Sequence, residues 1–330
     1  MIIMAFESSC DETSVAVVRD GKEILSNVVL SQIDIHKIYG GVVPEIASRN
    51  HIQFITAVLD EAIAKANIDV ENIDLVAVTK GPGLIGSLLV GINCALAFAY
   101  ANNIKVVGVN HLIGHIYAAN IDNEIKFPAL SLLVSGGHTE LIYMESHLSF
   151  KILGSTLDDA VGEAYDKVAR VLGLPYPGGP IVDKLAILGN DTYDLPRPYL
   201  LDKGYDFSFS GLKSAVINKI HNNHQKNIET NTNDMCTSFQ NSVLDVLLFK
   251  TKKAIKDFNV SSLIIAGGVA ANKGLRKRVA EEINDIDVYI PPFNLCTDNA
   301  AMIAAAAYYI YNIDGANINY ILEGTSVLDL

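Results

Sequence analysis

The sequence predicts an α/β protein made of two lobes of related topology. Its 330 residues are about twice the roughly 150 residues typical of one domain. Short β-branched runs alternate with helical patterns, and a strand–turn–strand unit at the N-terminus recurs after residue 128. Half of the residues are hydrophobic and only 19% are charged, so the chain can bury a sizeable core.

The elements of the first lobe follow from periodicity and turn residues. Strands are predicted where β-branched residues cluster, and helices where apolar residues recur every three or four positions. Pro44 suits the first turn of a helix, Asn110 is expected to cap another, and Asp20-Gly21 is a hairpin signal. The predicted elements are strands Ile2–Phe6, Ser14–Arg19, Leu75–Thr79 and Lys105–Val109, and helices Pro44–Asn67, Ile85–Ala101 and His111–Asn120.

The second lobe begins as the first does. Ala129–Val134 predicts a strand, Ser135–Thr139 a tight turn and Glu140–Met144 a second strand, like the strand–turn–strand at the N-terminus. Leu263–Ala266 precedes a glycine turn, as Leu75–Thr79 does. We interpret the recurrence as two related lobes facing a shared cleft, with chance similarity between βα units as the alternative. Polar loops are expected at 190–209 and 221–233.

Charge argues against one class of protein. Lys and Arg total 25 and Asp and Glu total 37, so the net charge of −12 disfavours coating nucleic acid or anionic membrane through bulk charge. Local basic clusters at Lys250–Lys256 and Lys273–Arg278 could still contact polynucleotide phosphates, although a charged helix face is the commoner explanation.

Cysteine spacing and hydropathy predict a soluble cytoplasmic protein. Four scattered cysteines without a CxxC spacing indicate reduced thiols rather than a disulfide frame or a zinc knuckle. No signal-peptide pattern precedes Glu7. The apolar stretches Leu84–Ala101 and Ala300–Tyr311 fall short of the roughly 20 strongly apolar residues of a membrane span.

A metal site is the first chemical hypothesis. His111 and His115 are four residues apart and share one face of a helix, a spacing suited to two ligands on one ion. Asp298 begins another helix and could supply a carboxylate, or could simply cap that helix. Two imidazoles and one carboxylate leave open positions, as in catalytic zinc or non-haem iron sites. A coincidental pair of histidines is the alternative.

Several glycine turns suit phosphate groups. Gly81–Gly86 matches GxGxxG, but no Asp or Glu follows before Ile121, so tight packing explains it better than dinucleotide binding. Ser135–His138, Tyr176–Pro180 and Gly267–Asn272 could bring backbone amides close to an anion, although each alone is more often structural. Jointly they predict a nucleotide cleft, in which Asp166 and Asp183 could take ribose hydroxyls.

Two adjacent acids stand in the first turn, Asp11 and Glu12. They would suit a cleft that faces a cation or a phosphate–metal pair. A solvated turn is the alternative.

Taken together, these motifs resemble the bacterial tRNA adenosine threonylcarbamoyltransferase family (TsaD), formerly named O-sialoglycoprotein endopeptidases. The resemblance extends from the first strand to about Ala305. The segments that carry it are Glu7–Thr13, Gly40–Arg49, His111–His115, Val134–His138, Asp159–Lys167, Pro177–Pro180, Asp206–Lys213, Ala266–Asn272 and Cys296–Asn299.

The resemblance implies an actin-like ATPase (ASKHA) fold, with two ribonuclease-H-like lobes around a nucleotide cleft. It implies lobes at 1–110 and 111–298, with a helix at 299–330 packing back on the first lobe. The implied reaction moves a threonylcarbamoyl group from threonylcarbamoyl-AMP to the exocyclic amine of adenosine 37, just 3′ of the anticodon, in tRNAs that read codons beginning with A.

Family roles carry over to matching positions. His111, His115 and Asp298 match the ligands of one divalent metal ion, iron or zinc, and Asp11 matches an acid expected to assist the chemistry. Residues that match the substrate site are Leu133, Val134, Ser135, Gly136, Gly137, Asp166, Gly179, Asp183 and Asn272. Asn110 departs from the family, whose bacterial members commonly have His there. The implied partners are tRNA, a TsaB-like paralogue and a TsaE-like ATPase, and no membrane.

Three other functions remain as hypotheses. A metal-dependent protease would fit the histidine pair and the old family name, but Leu112 stands where HExxH proteases carry their general base. A non-catalytic paralogue of the same fold would be expected to lack the metal ligands. A sugar or acyl kinase is possible from the fold alone.

Overall fold

Two compact units make up the chain. The computed structural model describes residues 1–199, 204–315, 320–328 and 330. Unit 1 comprises Met1–Ile125 together with Pro291–Leu330, and unit 2 comprises Lys126–Ile290. The elements of the described residues, in chain order, are β1 (Ile2–Glu7), β2 (Glu12–Arg19), β3 (Glu23–Ser31), α1 (Ile33–His36), α2 (Pro44–Ala66), β4 (Leu75–Gly81), α3 (Ile85–Asn102), β5 (Lys105–Asn110), α4 (His111–Ala118), β6 (Ala129–Val134), β7 (Thr139–Met144), β8 (Phe150–Ser155), α5 (Val161–Val171), α6 (Gly178–Ala186), α7 (Ser210–Gln225), α8 (Thr232–Phe258), β9 (Ser262–Ala266), α9 (Lys273–Glu282), β10 (Asp287–Tyr289), α10 (Phe293–Cys296) and α11 (Ala300–Asp314).

The two sheets have the same strand order and the same strand directions. In unit 1 the order is β3-β2-β1-β4-β5, with β1 antiparallel to β2 and parallel to β4. In unit 2 it is β8-β7-β6-β9-β10, with β6 antiparallel to β7 and parallel to β9. The recurrence predicted from the sequence is therefore confirmed as a duplicated topology.

The central strands of unit 1 are buried on both faces. Met4 and Phe6 of β1 and Val76 and Val78 of β4 belong to one hydrophobic cluster with α2 and α3, and α11 packs against β1 and β2. Strands covered on both faces are expected to read as continuous apolar runs rather than as an alternating pattern. Such runs made Ile2–Phe6 and Leu75–Thr79 recognisable in the sequence.

Helix α3 is long and apolar enough to cross a membrane by length and composition, although its sequence was expected to fall short of that standard. In unit 1 it has one buried face that includes Leu88, Ile92, Ala95 and Ala99, and these side chains join the core cluster. Core helices of globular proteins pass the same test, so the helix is accounted for by its packing on the sheet.

The compact units divide the chain differently from the expected lobes. The expected boundary at 110/111 lies inside unit 1, because β5 runs directly into α4 and α4 packs against α11. The C-terminal segment does lie in unit 1, but its helix ends at Asp314 rather than continuing to 330. Farther on, the amide of Thr325 donates to the carbonyl of Lys80 at 2.9 Å, so the tail runs beside β4.

Candidate metal centre and substrate-binding turns

Helix α4 places two imidazoles one turn apart. The side chain of Asn110 accepts a hydrogen bond from the amide of Leu112 at 2.8 Å, which caps the helix as predicted and fixes its start at His111. Residues four apart lie on one helix face. The rings of His111 and His115 are accordingly adjacent, with centroids 4.7 Å apart.

Asp298 approaches both histidines. Its Oδ1 lies 3.5 Å from Nε2 of His111 and 3.2 Å from Nε2 of His115. The capping residue of α11 is Asn299, whose side chain accepts from the amide of Met302, so Asp298 is not the cap of this helix. One candidate ligand atom from each of the three side chains lies within 4.8 Å of the others, a grouping that could hold a metal ion.

A glycine between the histidines allows this approach. A Cβ on Gly114 would lie 2.7 Å from Cδ1 of Ile303 and 3.3 Å from Cγ of Met302. Both contacts belong to the first turns of α11, the helix that Asp298 precedes. The missing side chain therefore lets α11 pack closely on α4 and brings the carboxylate to the imidazoles.

A buried carboxylate orients the first histidine. Glu7 Oε2 lies 3.0 Å from Nδ1 of His111, and the side chain of Glu7 is fully buried. Glu7 is held in turn, because its carboxylate accepts from the hydroxyl of Thr79 and from the amide of Ser9, each at 2.5 Å. Carboxylates in this position fix the tautomer of metal-binding histidines, here leaving Nε2 of His111 to face Asp298.

Electrostatics and exposure also favour a cation site. Burial acts to raise the pKa of Asp298, but the neighbouring His111 and His115 outweigh it and hold this pKa well below its usual range. The side chain of His115 is 2% exposed and that of Asp298 is 21% exposed, so the group has an accessible side. Two neutral imidazoles and a carboxylate, one side open, match the donor set of catalytic zinc and non-haem iron sites.

The acids of the first turn lie in the same unit. Asp11 is buried, and the backbone of the turn is held by His51, whose Nε2 lies 2.9 Å from the carbonyl oxygen of Cys10. Burial, Asp298 and Asp11 together raise the pKa of Glu12 to about 10. At neutral pH Glu12 is therefore protonated beside Asp11, and the solvated-turn interpretation does not describe these side chains.

The glycine motif after β4 serves packing, as predicted. A Cβ on Gly83 would lie 2.7 Å from the carbonyl oxygen of Ser9, and one on Gly81 would lie 2.4 Å from that of Thr325. The amide of Leu84 donates to the Ser9 carbonyl at 2.7 Å. The motif thus holds the first turn, and Ser9 Oγ lies 3.2 Å from Nδ1 of His111.

Unit 2 contains an open glycine turn after β6. Leu133 and Val134 are fully buried strand residues, so their side chains support the turn from below. Ser135 closes it, since the Ser135 amide donates to the His138 carbonyl and Ser135 Oγ accepts from the His138 amide. A Cβ on Gly136 or Gly137 would meet nothing within 4 Å. The backbone of this turn is accessible to an anion.

Three predicted ribose and adenosine residues organise neighbouring helix ends. Asp166 accepts from the amide of Gly178 at 2.7 Å and also from that of Gly179, at the start of α6. Asp183 accepts from the amides of Lys273 and Gly274 at the start of α9. Asn272 caps α9 by accepting from Leu275.

Gln240, which the sequence did not single out, connects this group. Its amide donates to Asp183 at 3.1 Å, and its carbonyl oxygen accepts from Asn272 at 2.9 Å. The structure therefore brings Asp183 and Asn272 together. Glu7, Thr79 and Gly114 are the other contributors missed in the sequence. A lone carboxylate ending an apolar strand was the available signal for Glu7.

The two basic clusters are largely neutralised. Lys252 and Arg278 pair with Glu282, Arg278 also pairs with Asp245, and Lys253 pairs with Asp257. Lys250 is buried and donates to the carbonyl of Gly204. These helices are better described as charged faces than as the polynucleotide surface that the sequence suggested.

Comparison with known sequences identifies relatives of the whole chain. Residues 23–305 match the family model TsaD, described as tRNA N6-adenosine threonylcarbamoyltransferase. A protein of that name from Staphylococcus epidermidis is 57% identical over 331 residues, which cover 100% of this chain and 97% of the relative. Another from Staphylococcus aureus is 56% identical over 332 residues, with the same coverage.

Solved structures with little sequence similarity share the fold. HypF from T. kodakarensis is 13% identical with a TM-score of 0.65, over 97% of this chain and 49% of HypF. The activator of a 2-hydroxyisocaproyl-CoA dehydratase from Clostridium difficile is 14% identical with a TM-score of 0.54, over 94% and 95% of the two chains. These likenesses show the actin-like ATPase fold that the sequence predicted.

Proposed function

The chain belongs to the TsaD family of tRNA N6-adenosine threonylcarbamoyltransferases, and on that premise we propose that it uses threonylcarbamoyl-AMP and one divalent metal ion to modify adenosine 37 of tRNA. The activity is that of an acyltransferase acting on tRNA. The observation that carries the metal proposal is the convergence of His111, His115 and Asp298 beside the buried Glu7.

The ion would be held by Nε2 of His111, Nε2 of His115 and a carboxylate oxygen of Asp298. Iron and zinc both accept two imidazoles and one carboxylate. When bound, such an ion supplies Lewis acidity toward the carbonyl oxygen of the threonylcarbamoyl group. The three side chains themselves fix the position of that charge, since α4 and α11 hold them from two sides.

The adenylate part of the substrate is assigned to unit 2. The open backbone at Gly136 and Gly137 would accept the phosphate, because added side chains are absent where the anion must approach. Asp166 and Asp183 each retain carboxylate lone pairs that can accept from ribose hydroxyls in addition to the amides that they already bind. Asn272 and Gly179 lie next to these carboxylates and would shape the site.

The chemical step joins two parts. The N6 amine of adenosine attacks the carbamoyl carbon, the new C–N bond forms, and the bond from that carbon to the AMP oxygen breaks. The proton lost by the amine is taken by the carboxylate of Asp11, which lies beside the protonated Glu12. An exocyclic adenine amine is a poor nucleophile, so an activated mixed anhydride is a chemically sensible donor. A loop base is already unpaired and can enter a pocket at modest cost.

Two partners are proposed from the family, a TsaB-like paralogue and a TsaE-like ATPase. A surface suited to the paralogue is the outer side of α3, a helix without a charged residue that exposes Ile85, Leu89 and Tyr100. The cytoplasm is the proposed compartment, because the tRNA substrate is there.

Two alternatives have less support. In a protease, the residue after the first histidine would be a glutamate, and here Leu112 is a buried apolar residue. A non-catalytic paralogue would have no use for the triad or for Glu7. Metal-loaded protein that cleaves peptide bonds would favour the protease.

The experiment is a reconstitution of the full chain with its partners, threonylcarbamoyl-AMP and unmodified tRNA. Mass analysis of the nucleosides should show threonylcarbamoyladenosine at position 37. Omission of threonylcarbamoyl-AMP is the control. Unmodified adenosine in the complete reaction would contradict the proposal.

A further inference from the structure

Helix α7 differs in charge from the rest of the protein. Between Ser208 and Ile228 the sequence contains no Asp or Glu, although the whole chain carries a net charge of −12. The basic residues of this stretch are Lys213, Lys219, Lys226, His221 and His224. The helix itself, Ser210–Gln225, supplies a polar surface with a net positive charge.

The lysines of α7 are uncompensated. Among the described residues, no carboxylate oxygen lies within 4 Å of the ammonium groups of Lys213, Lys219 or Lys226, whereas the lysines of the two basic clusters are mostly paired or buried. Lys219 instead lies over the ring of Tyr193, 5.9 Å from its centroid. Lys213 and Lys226 are exposed. Positive charge without a protein partner is available to a bound polyanion.

The position of α7 is fixed by its N-terminus and its apolar face. Asp158 accepts from the amide of Phe209 and from the hydroxyl of Ser210, each at 2.8 Å. Leu212 and Val216 are fully buried. The outward face therefore carries a rigid array of Lys, His, Asn, Gln and Ser side chains rather than a flexible loop.

The helix also lies beside a substrate-binding element of the same unit. It packs against α5, the helix that carries Asp166, and Asp158 stands just before α5. A polynucleotide on α7 would run past the helix that contributes to the adenylate turns. Lysines supply the charge for phosphates, and the imidazole and amide groups supply hydrogen bonds to phosphate and sugar oxygens.

We propose that the outward face of α7 binds the sugar–phosphate backbone of the tRNA substrate, with Lys213 and Lys226 each contacting a phosphate. The inference rests on the proposed function and adds the docking surface to it. Charge complementarity argues for a nucleic acid as the occupant, since the face offers cations and hydrogen-bond donors but little apolar area. Ile217 is its one large apolar side chain, 42% exposed.

The test compares two pairs of substitutions in the full chain assembled with its partners. Lys213→Gln/Lys226→Gln removes two charges from α7. Lys37→Gln/Lys65→Gln removes two exposed charges from unit 1, where the lysines pair with Asp34 and Glu61. Lys213→Arg/Lys226→Arg keeps the charge on α7. Thermal unfolding of each variant checks that the fold is retained.

The α7 pair should raise the KM for unmodified tRNA by about tenfold, and it should lower the slope of log affinity against log salt concentration by about 2, one for each phosphate contact. The rate at saturating tRNA and the KM for threonylcarbamoyl-AMP should not change. The unit 1 pair and the arginine pair should behave as the unaltered protein does.

Three results would overturn the inference while leaving the proposed function intact: equal tRNA affinity for the α7 pair and the unaltered protein, equal losses for the α7 pair and the unit 1 pair, or loss of partner association with the tRNA KM unchanged. Failure of the unaltered protein to modify tRNA would instead contradict the proposed function, and the inference would fall with it.

Discussion

Glu7 Oε2 lies 3.0 Å from Nδ1 of His111, inside a unit where Glu7 is fully buried. Burial acts to raise the pKa of Glu7, but His111 outweighs it and the pKa is lowered. The carboxylate is therefore charged, and it accepts a proton from the imidazole nitrogen that faces away from Asp298. This relationship makes the strand β1 part of the metal centre, although β1 supplies no ligand.

The first prediction concerns this contact. Glu7→Gln should weaken binding of zinc or iron by about 10- to 100-fold, because an amide orients the imidazole less strongly than a carboxylate does. Thr79→Val, which keeps the carboxylate but removes a hydroxyl that holds it, should have a smaller effect. Calorimetric titration of the metal-free proteins measures both. Equal affinity in Glu7→Gln and the unaltered protein would remove Glu7 from the centre.

The second prediction removes a ligand. His115→Ala should lower metal affinity by more than about 100-fold, beyond the effect of losing a supporting residue, and should abolish tRNA modification with it. His147→Ala, a substitution in unit 2, should leave both unchanged. Metal content and modified nucleoside are measured on the same preparations. Normal modification by His115→Ala would disprove the metal assignment.

The third prediction tests the packing of α11 on α4. Gly114→Ala places a methyl group 2.7 Å from Cδ1 of Ile303, and should destabilise the protein by about 1–3 kcal/mol and weaken metal binding. Ile303→Val removes that Cδ1 and alone should cost about 0.5–1.5 kcal/mol. Chemical unfolding of the double variant should show less destabilisation than the sum of the two. Additive costs would mean that the close approach is not what the glycine provides.

The sequence predicted those parts of the fold that local pattern specifies. The continuous apolar strands Ile2–Phe6 and Leu75–Thr79 and the helix from Pro44 agree with β1, β4 and α2 to within two residues. Asn110 caps α4 as its side chain suggested. The histidine pair was readable because helical geometry alone puts residues four apart on one face.

What depends on tertiary packing was not readable. The segment 221–233 was expected to be a loop because it is polar, yet His221–Gln225 ends α7, whose buried contacts come from Leu212 and Val216 earlier in the chain. The pairing of Lys252 and Arg278 with Glu282 also joins residues that are distant or that have other possible partners. Gln240 binds Asp183 across 57 positions, a contact that spacing cannot reveal.

The fourth prediction compares two glycines of unit 2. Gly137→Val should lower affinity for threonylcarbamoyl-AMP at least about tenfold with little change in stability, since its side chain enters open space where the phosphate is proposed to bind. Gly267→Ala should instead destabilise the fold by about 1–3 kcal/mol, because φ is +89° and the Cβ would lie 2.4 Å from the Val134 carbonyl oxygen. Adenylate binding and thermal unfolding separate the two. Full affinity in Gly137→Val would place the phosphate elsewhere.

The most direct test of the central claim is a titration of metal into metal-free protein, assembled with its partners and supplied with threonylcarbamoyl-AMP and unmodified tRNA. The amount of threonylcarbamoyladenosine formed in a fixed time, measured by nucleoside mass analysis, should rise in proportion to metal bound and level off at one ion per chain. The His115→Ala variant should give no such rise. Full modification by protein shown to contain no metal would contradict the account.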